Sequence, residues 1–189
     1  MKKLRETNEL WSSATNMAVI DRKGYRPNVG IVLCNSAREV FWACRIGRTG
    51  WQFPQGGIDE NEDPEQAMYR ELYEEIGLQP DHIEIIGRTR DWLYYDLPEQ
   101  FLRRPRSGRQ GKPRPGRQHD PRFRGQKQVW FLLKLVCEET EVCLSRSKKP
   151  EFEDWQWVHY WQPVEQVIEF KRDVYHRALE ELEPFLEHI

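Results

Sequence analysis

The stretch 63–77, "DPEQAMYRELYEEIG", decides how this chain is read. Asp63, Pro64 and Gln66 together mark a helix start. The carboxylate can accept the orphan N–H groups of the first turn, proline fits the first helical position, and the glutamine can reach back to the cap. Gly77 suits the C-terminal turn. The spacing predicts a helix from about Pro64 to Ile76, with Leu72, Tyr73 and Ile76 as its buried stripe. On that helix Glu71, Glu74 and Glu75 share a face, where like charges repel by roughly a few tenths of a kcal/mol per pair. Helix stability does not favour such a cluster. Hard oxygen donors facing a Gly-rich loop, "WQFPQGG" (51–57), suit Mg²⁺ or Mn²⁺ instead. An ion there would relieve the repulsion, hold a phosphate chain and activate water. The plainer alternative is a solvated acidic face with Arg70 as partner, which three glutamates alone do not exclude.

Outward from the helix, "VGIVLC" (29–34) and "EVFWACR" (39–45) are β-branched and aromatic, and the turn-like "NSAR" between them predicts a hairpin. Further strands are predicted at "IEIIGRTR" (83–90), "WLYYDL" (92–97), "VWFLLKLVC" (129–137) and "DWQWVHY" (154–160). The C-terminal end reads as a helix with Val174, Ala178 and Leu182 on one face, closed by Pro184. Strands interleaved with a central and a terminal helix give an α/β architecture with a mixed sheet.

Bulk composition bounds the function. The 189 residues fit one domain with a real core, 32% are charged, and no apolar run approaches bilayer length. The start, "MKKLRETNELWSSATNMAVI", has no continuous apolar region and does not read as a secretory signal. Residues 1–18 are expected to be a poorly ordered N-terminal extension, leaving 19–189 as a single domain. Cys34, Cys44, Cys137 and Cys143 lack zinc-knuckle spacing and read as reduced thiols, consistent with a cytoplasmic location. Net charge is −2, yet Arg103, Arg104, Arg106, Arg109, Lys112, Arg114, Arg117, Arg122, Arg124 and Lys127 face only Asp120 between residues 101 and 127. With four prolines, that segment is expected to be an irregular basic insertion loop, and its charge points to a polyanionic partner.

The longer pattern weighs against the plain reading of the glutamates. Gly56, five residues, Glu62, seven residues, Arg70-Glu71-Leu72, one residue, Glu74-Glu75, one residue and Gly77-Leu78 is a full match to the Nudix box. "GYRPNVGIVLCN", "WQFPQGGI", "EQAMYREL", "GQKQ", "PEF" and "FKRDVY" resemble the bacterial RNA pyrophosphohydrolase branch of Nudix hydrolases, over roughly residues 19–179. The resemblance implies an α/β/α sandwich, with Mg²⁺ (or Mn²⁺) as cofactor and more than one ion. The implied activity is removal of pyrophosphate from the 5′-triphosphate end of RNA, leaving a 5′-monophosphate that promotes mRNA decay. Relatives hydrolyse dinucleoside polyphosphates, which is the second reading. A non-catalytic RNA-binding module is the third, and the complete set of box carboxylates argues against it.

Carried over residue by residue, the resemblance makes Glu71, Glu74 and Glu75 the ion ligands, with a carbonyl near Gly56 or Gly57. Glu151 of "PEFEDW" matches a further carboxylate reaching the metals from outside the box. Arg70 orients the glutamates, and Glu62 and Gly77 support loop and helix. RNA binding is expected from Arg26 and Arg45, with Phe170 and Lys171 holding the second nucleotide, and from Gln52 and Tyr95 on the phosphate side. Two features depart from the branch. Gly50 precedes Trp51 where serine is usual, which removes a hydroxyl contact to a base, and the basic segment is longer.

Overall fold

A computed structural model describes residues 20–47, 50–102 and 122–189. The expected N-terminal extension and the middle of the basic segment lie outside the described residues. In chain order the strands and helices are β1 (Tyr25–Cys34), β2 (Val40–Arg45), β3 (Trp51–Gln52), β4 (Gln55–Gly57), α1 (Pro64–Ile76), β5 (Ile83–Arg88), β6 (Leu93–Asp96), α2 (Glu99–Leu102), β7 (Gly125–Leu135), β8 (Phe152–Val158), α3 (Gln162–Gln166) and α4 (Arg172–Leu182). A 3₁₀ turn, Glu169–Lys171, leads into α4, and another, Glu183–His188, follows it and contains Pro184.

The sheet is mixed. Its main path runs β3-β2-β1-β7-β5, with β4 paired to β1, β6 to β7 and β8 to β2. β1 and β7 run parallel in register from Tyr25↔Gly125 to Cys34↔Lys134. The predicted β1–β2 hairpin closes at the single pair Cys34↔Val40, around a turn in which Asn35 Oδ1 accepts the N–H groups of Ala37 and Glu39. The two strands then part. β2 pairs with β8, while β1 takes β4, and Ile31 N donates to Pro54 O at 2.9 Å. The parting admits the Gly-rich loop into the plane of the sheet.

Strand alternation divides the core into two layers. Val29, Ile31 and Leu33 pack with Ala67, Met68, Leu72 and Ile76 of α1. Val32 and Cys34 point the other way and pack with Val174, Tyr175, Ala178, Leu179 and Leu182 of α4. α1 and α4 therefore cover opposite faces, and the architecture is an α/β/α sandwich.

Helix α1 keeps its predicted bounds. Asp63 Oδ1 accepts from Glu65 N and Gln66 N at 2.9 Å each, Gln66 Oε1 accepts from Asp63 N at 3.0 Å, and Gly77 adopts φ 77°. The left-handed backbone at Gly77 is the conformation glycine adopts without a side-chain clash.

Three expectations are corrected. Tyr73 is 45% exposed, so Ala67 and Met68 rather than Tyr73 complete the buried stripe. Tyr73 lies instead under the Arg146 guanidinium, 5.9 Å from the ring centroid. The central strand begins at Gly125, not residue 129, because parallel pairing with Tyr25–Pro27 absorbs the end of the basic segment. At the segment's other end, Phe101 and Leu102 belong to α2. All four cysteines are free thiols; Cys34 is buried, its pKa pushed up to about 12 by burial, while the other three are half-buried. No helix among the described residues is long and apolar enough to cross a membrane.

The cap gives a direct check on this account of α1. Asp63→Ala removes the acceptor of two first-turn N–H groups and should lower unfolding free energy by about 1 kcal/mol. Urea denaturation followed by circular dichroism measures it, and an unchanged midpoint would show that the cap does not hold the helix.

Candidate active site

Two turns of α1 lie against β4, and glycine is what lets them approach. A Cβ at Gly56 would stand 1.8 Å from the Glu71 carboxyl carbon, so any side chain there would displace the carboxylate. Glu71 is 9% exposed and Glu75 2%. Glu75 Oε2 accepts from Gln55 N at 2.9 Å, whereas Oε1 is sealed from solvent and meets no donor among the described residues. Glu74 faces outward, its side chain 52% exposed and 3.8 Å from Arg70.

Arg70 ties these groups together. Its guanidinium donates to both oxygens of Glu62 (2.8 and 2.7 Å), to Gly57 O (2.7 Å) and to Glu71 Oε1 (2.6 Å). Glu62 in turn accepts from Asp59 N at 3.1 Å, which fixes the loop before the helix. The box residues Glu62 and Arg70 thus form a strut between the loop and the carboxylates.

Electrostatics at the cluster follow from burial. The Glu71 carboxyl is pushed up to about 7 by desolvation, opposed by Arg70 and reinforced by Glu74 and Glu151. Glu75 is raised well above the carboxylate range, by desolvation first and then by the charges of Glu71 and Glu151. Glu151, immediately before β8, is near enough for its charge to act on both Glu71 and Glu75, and its carbonyl accepts from Ile46 N at 2.9 Å. A divalent cation fits what these residues lack. The donors are hard oxygens, one is buried without a partner among the described residues, and their mutual repulsion is the kind a cation relieves. They are gathered but not preassembled, for among the described residues no three acidic, His or Cys side chains stand at metal-ligand spacing.

The other side of β4 is cationic and aromatic. Adjacent residues on a strand face opposite ways, so Gly57 turns from α1 and receives Arg26, whose Nη2 would be 2.2 Å from a Cβ there. The charges of Arg26 and Arg45 both act on the Tyr95 hydroxyl, which desolvation pushes up and the arginines oppose. Tyr95 is 7% exposed and donates to Gln126 Oε1 at 2.7 Å. Lys171, 8% exposed, donates to Gln52 Oε1 at 3.4 Å. Burial and then Arg45 push the Lys171 amine down to about 7, against the attraction of Glu75. Phe170 lies 6.1 Å from the Tyr95 ring and 5.2 Å from Phe101, and with Phe101, Ile168 and Pro98 it lines a groove of ≈ 390 Å³.

The structure therefore gathers Glu71, Glu75 and Glu151 on one side of β4. On the other side stand Arg26, Arg45, Gln52, Tyr95, Phe170 and Lys171. Glu74 stays at the solvent edge. Residue-level reading of the sequence passed over Gln55, whose N–H holds Glu75, and Gln126, which takes the Tyr95 hydroxyl. It also passed over the buried pair Asn28 and Gln128, linked at 2.7 Å. "WQFPQGGI" and "GQKQ" contain three of these, but a main-chain donor leaves no side-chain signal.

Comparison with known proteins bears on the fold and the family. Solved structures with a similar fold include a C. elegans Ap4A hydrolase binary complex (TM-score 0.57, 19% identity, 86% of this chain and 98% of that one). The E. coli dihydroneopterin triphosphate pyrophosphohydrolase is also similar (0.58, 17%, 86% and 98%). So is the Nudix domain of Shewanella oneidensis NrtR complexed with ADP ribose (0.50, 17%, 88% and 93%). At these identities the likeness is one of fold. The family model of the NUDIX domain matches residues 24–178, which include every carboxylate and cation described above, and the chain belongs to the Nudix family.

Proposed function

We propose that this Nudix hydrolase cleaves the 5′-triphosphate end of RNA, releasing pyrophosphate and leaving a 5′-monophosphate. The observation that carries the reading is the pairing across β4 of buried carboxylates with a cationic and aromatic wall. Carboxylates alone would serve any phosphoric anhydride. A wall of Arg26, Arg45, Lys171, Tyr95 and Phe170 adds phosphate neutralisation and a face for a base, which an RNA end requires.

In this reading Glu71, Glu74, Glu75 and Glu151 would hold Mg²⁺, together with the Gly56 carbonyl. The bound ion supplies Lewis acidity toward phosphate oxygens and lowers the pKa of water. Arg70 and Glu62 keep Glu71 oriented. A water oxygen bonds to phosphorus, the anhydride P–O bond breaks, and the water's proton passes to a carboxylate of the cluster while pyrophosphate leaves. Arg26 and Arg45 offset charge on the chain of phosphates. An anionic phosphate beside Lys171 favours its ammonium form, so the amine gains charge as substrate arrives. Phe170 offers its ring to a base, and stacking of this kind contributes roughly 1–3 kcal/mol.

Three measurements check the reading. Glu75→Gln should cut turnover by about a hundredfold or more while leaving the unfolding midpoint unlowered, since the amide keeps an oxygen for Gln55 N–H and carries no charge; full activity in that variant would remove Glu75 from the site. Comparison of kcat/KM on a 5′-triphosphorylated oligonucleotide and on diadenosine tetraphosphate should favour the oligonucleotide. Preference for the dinucleotide would replace the RNA reading with the second one.

The third concerns pH. Lys171 has a folded pKa of about 7 against an ordinary 10.5, so its burial opposes folding in full below about pH 7. Between about 7 and 10.5 the unfolded chain binds the extra proton, the penalty shrinks as pH rises, and above that it vanishes. Lys171→Met should therefore be more stable than the parent at pH 7, with the difference narrowing toward pH 10 in urea titrations. A constant difference would mean that the amine is charged throughout.

A further inference from the structure

The string "FKRDVY" contains a residue that the proposed chemistry does not use, Tyr175. It lies on α4, on the face of the sheet opposite α1, and is fully buried. Its ring is stacked on Phe53 at 5.3 Å and meets the edges of Trp130 and Trp42 at 4.9 and 6.1 Å. Held in that way, its hydroxyl reaches Gln55 Oε1 at 3.4 Å. Gln55 is the first residue of β4, and its own N–H donates to Glu75 Oε2 at 2.9 Å. The remaining oxygen, Oε1, is sealed and meets no donor among the described residues.

We propose that Tyr175 is a positioning residue for Glu75. Through Gln55 it fixes the start of β4, so that the peptide N–H takes one carboxylate oxygen and leaves the other for the cation. The terminal torsion of a glutamate is broad, and one fixed hydrogen bond selects its orientation. The contact with Phe53 supports the same segment from the other side of Pro54, whose carbonyl is already bonded to Ile31 N. Tyr175 touches neither ion nor substrate in this scheme. The inference rests on the reading of Glu75 as an ion ligand.

Mn²⁺ binding without substrate, followed by electron paramagnetic resonance, tests it independently of turnover. Tyr175→Phe keeps the ring contacts and deletes only the hydroxyl. Gln55→Ala deletes its acceptor while leaving the peptide N–H. Each should weaken Mn²⁺ binding by about 3- to 10-fold, the worth of one ordinary hydrogen bond, and the double variant should be no weaker than either single one. In both, kcat should fall with the KM for nucleotide unchanged. A packing role alone would lower the thermal midpoint of Tyr175→Phe and leave its Mn²⁺ affinity at the parent value, which would overturn the proposal. Should Tyr175→Phe fail to fold, parent-like Mn²⁺ affinity in Gln55→Ala would overturn it equally. Failure of the parent protein to bind Mn²⁺, or parent-like binding in Glu75→Gln, would instead overturn the ion-ligand reading beneath it.

Discussion

Two carboxylates buried side by side against a bare backbone set the terms for this fold. Burying an ion costs several kcal/mol even after relaxation, and a second like charge adds to that. Glu71 is compensated by Arg70, but Arg70 is already engaged by both oxygens of Glu62. Glu75 has one peptide N–H. If ionised together, Glu62, Glu71, Glu74, Glu75 and Glu151 exceed the charge of Arg70 by four, a surplus that divalent cations offset. The two hydrophobic layers on either side of the sheet must hold α1 in place against this repulsion.

β4 is short, yet it separates the two halves of the chemistry. Pairing with β1 puts Gly56 opposite Val29, on the α1 face, and Gly57 opposite Asn28, on the α4 face. Glu71 occupies the space over the first glycine and Arg26 the space over the second. The carboxylates and the guanidinium are thus divided by one strand's thickness. A register slip of one residue would exchange the two faces. Bonds at both ends of β4 oppose such a slip: Ile31 N donates to Pro54 O just before it, and Arg70 donates to the carbonyl of Gly57 at its end.

Much of this was legible in the sequence, and for local reasons. The cap, the helix and its end are encoded within residues 63–77, where side chain and backbone interact over three or four positions. The mixed sheet and the two covering helices followed from period-two and helical patterning. Tyr73 shows the limit of such patterning, since an aromatic at a core-compatible spacing can still lie on the surface under an arginine. The start of β7 was hidden because "GQK" is polar and reads as loop; only its partner strand, about a hundred residues earlier, makes it a strand. At the site, the box spacing pointed to Glu71 and Glu75. Nothing local distinguished Glu74, on the same face, as the one left in solvent, because its exposure depends on where β4 ends and Arg70 turns.

The parting of β1 and β2 links these observations. Had the hairpin zipped beyond Cys34↔Val40, β1 would have no free edge for β4, and Pro54 could not bond to Ile31. The opening lets a loop reach both layers of the sandwich within two residues: Phe53 enters the α4 layer, while Gln55 offers its N–H to α1 and its side chain to Tyr175. A site built in this way is held from both layers: α1 carries the Glu75 carboxylate that Gln55 N–H meets, and α4 reaches the same residue through the Tyr175 hydroxyl.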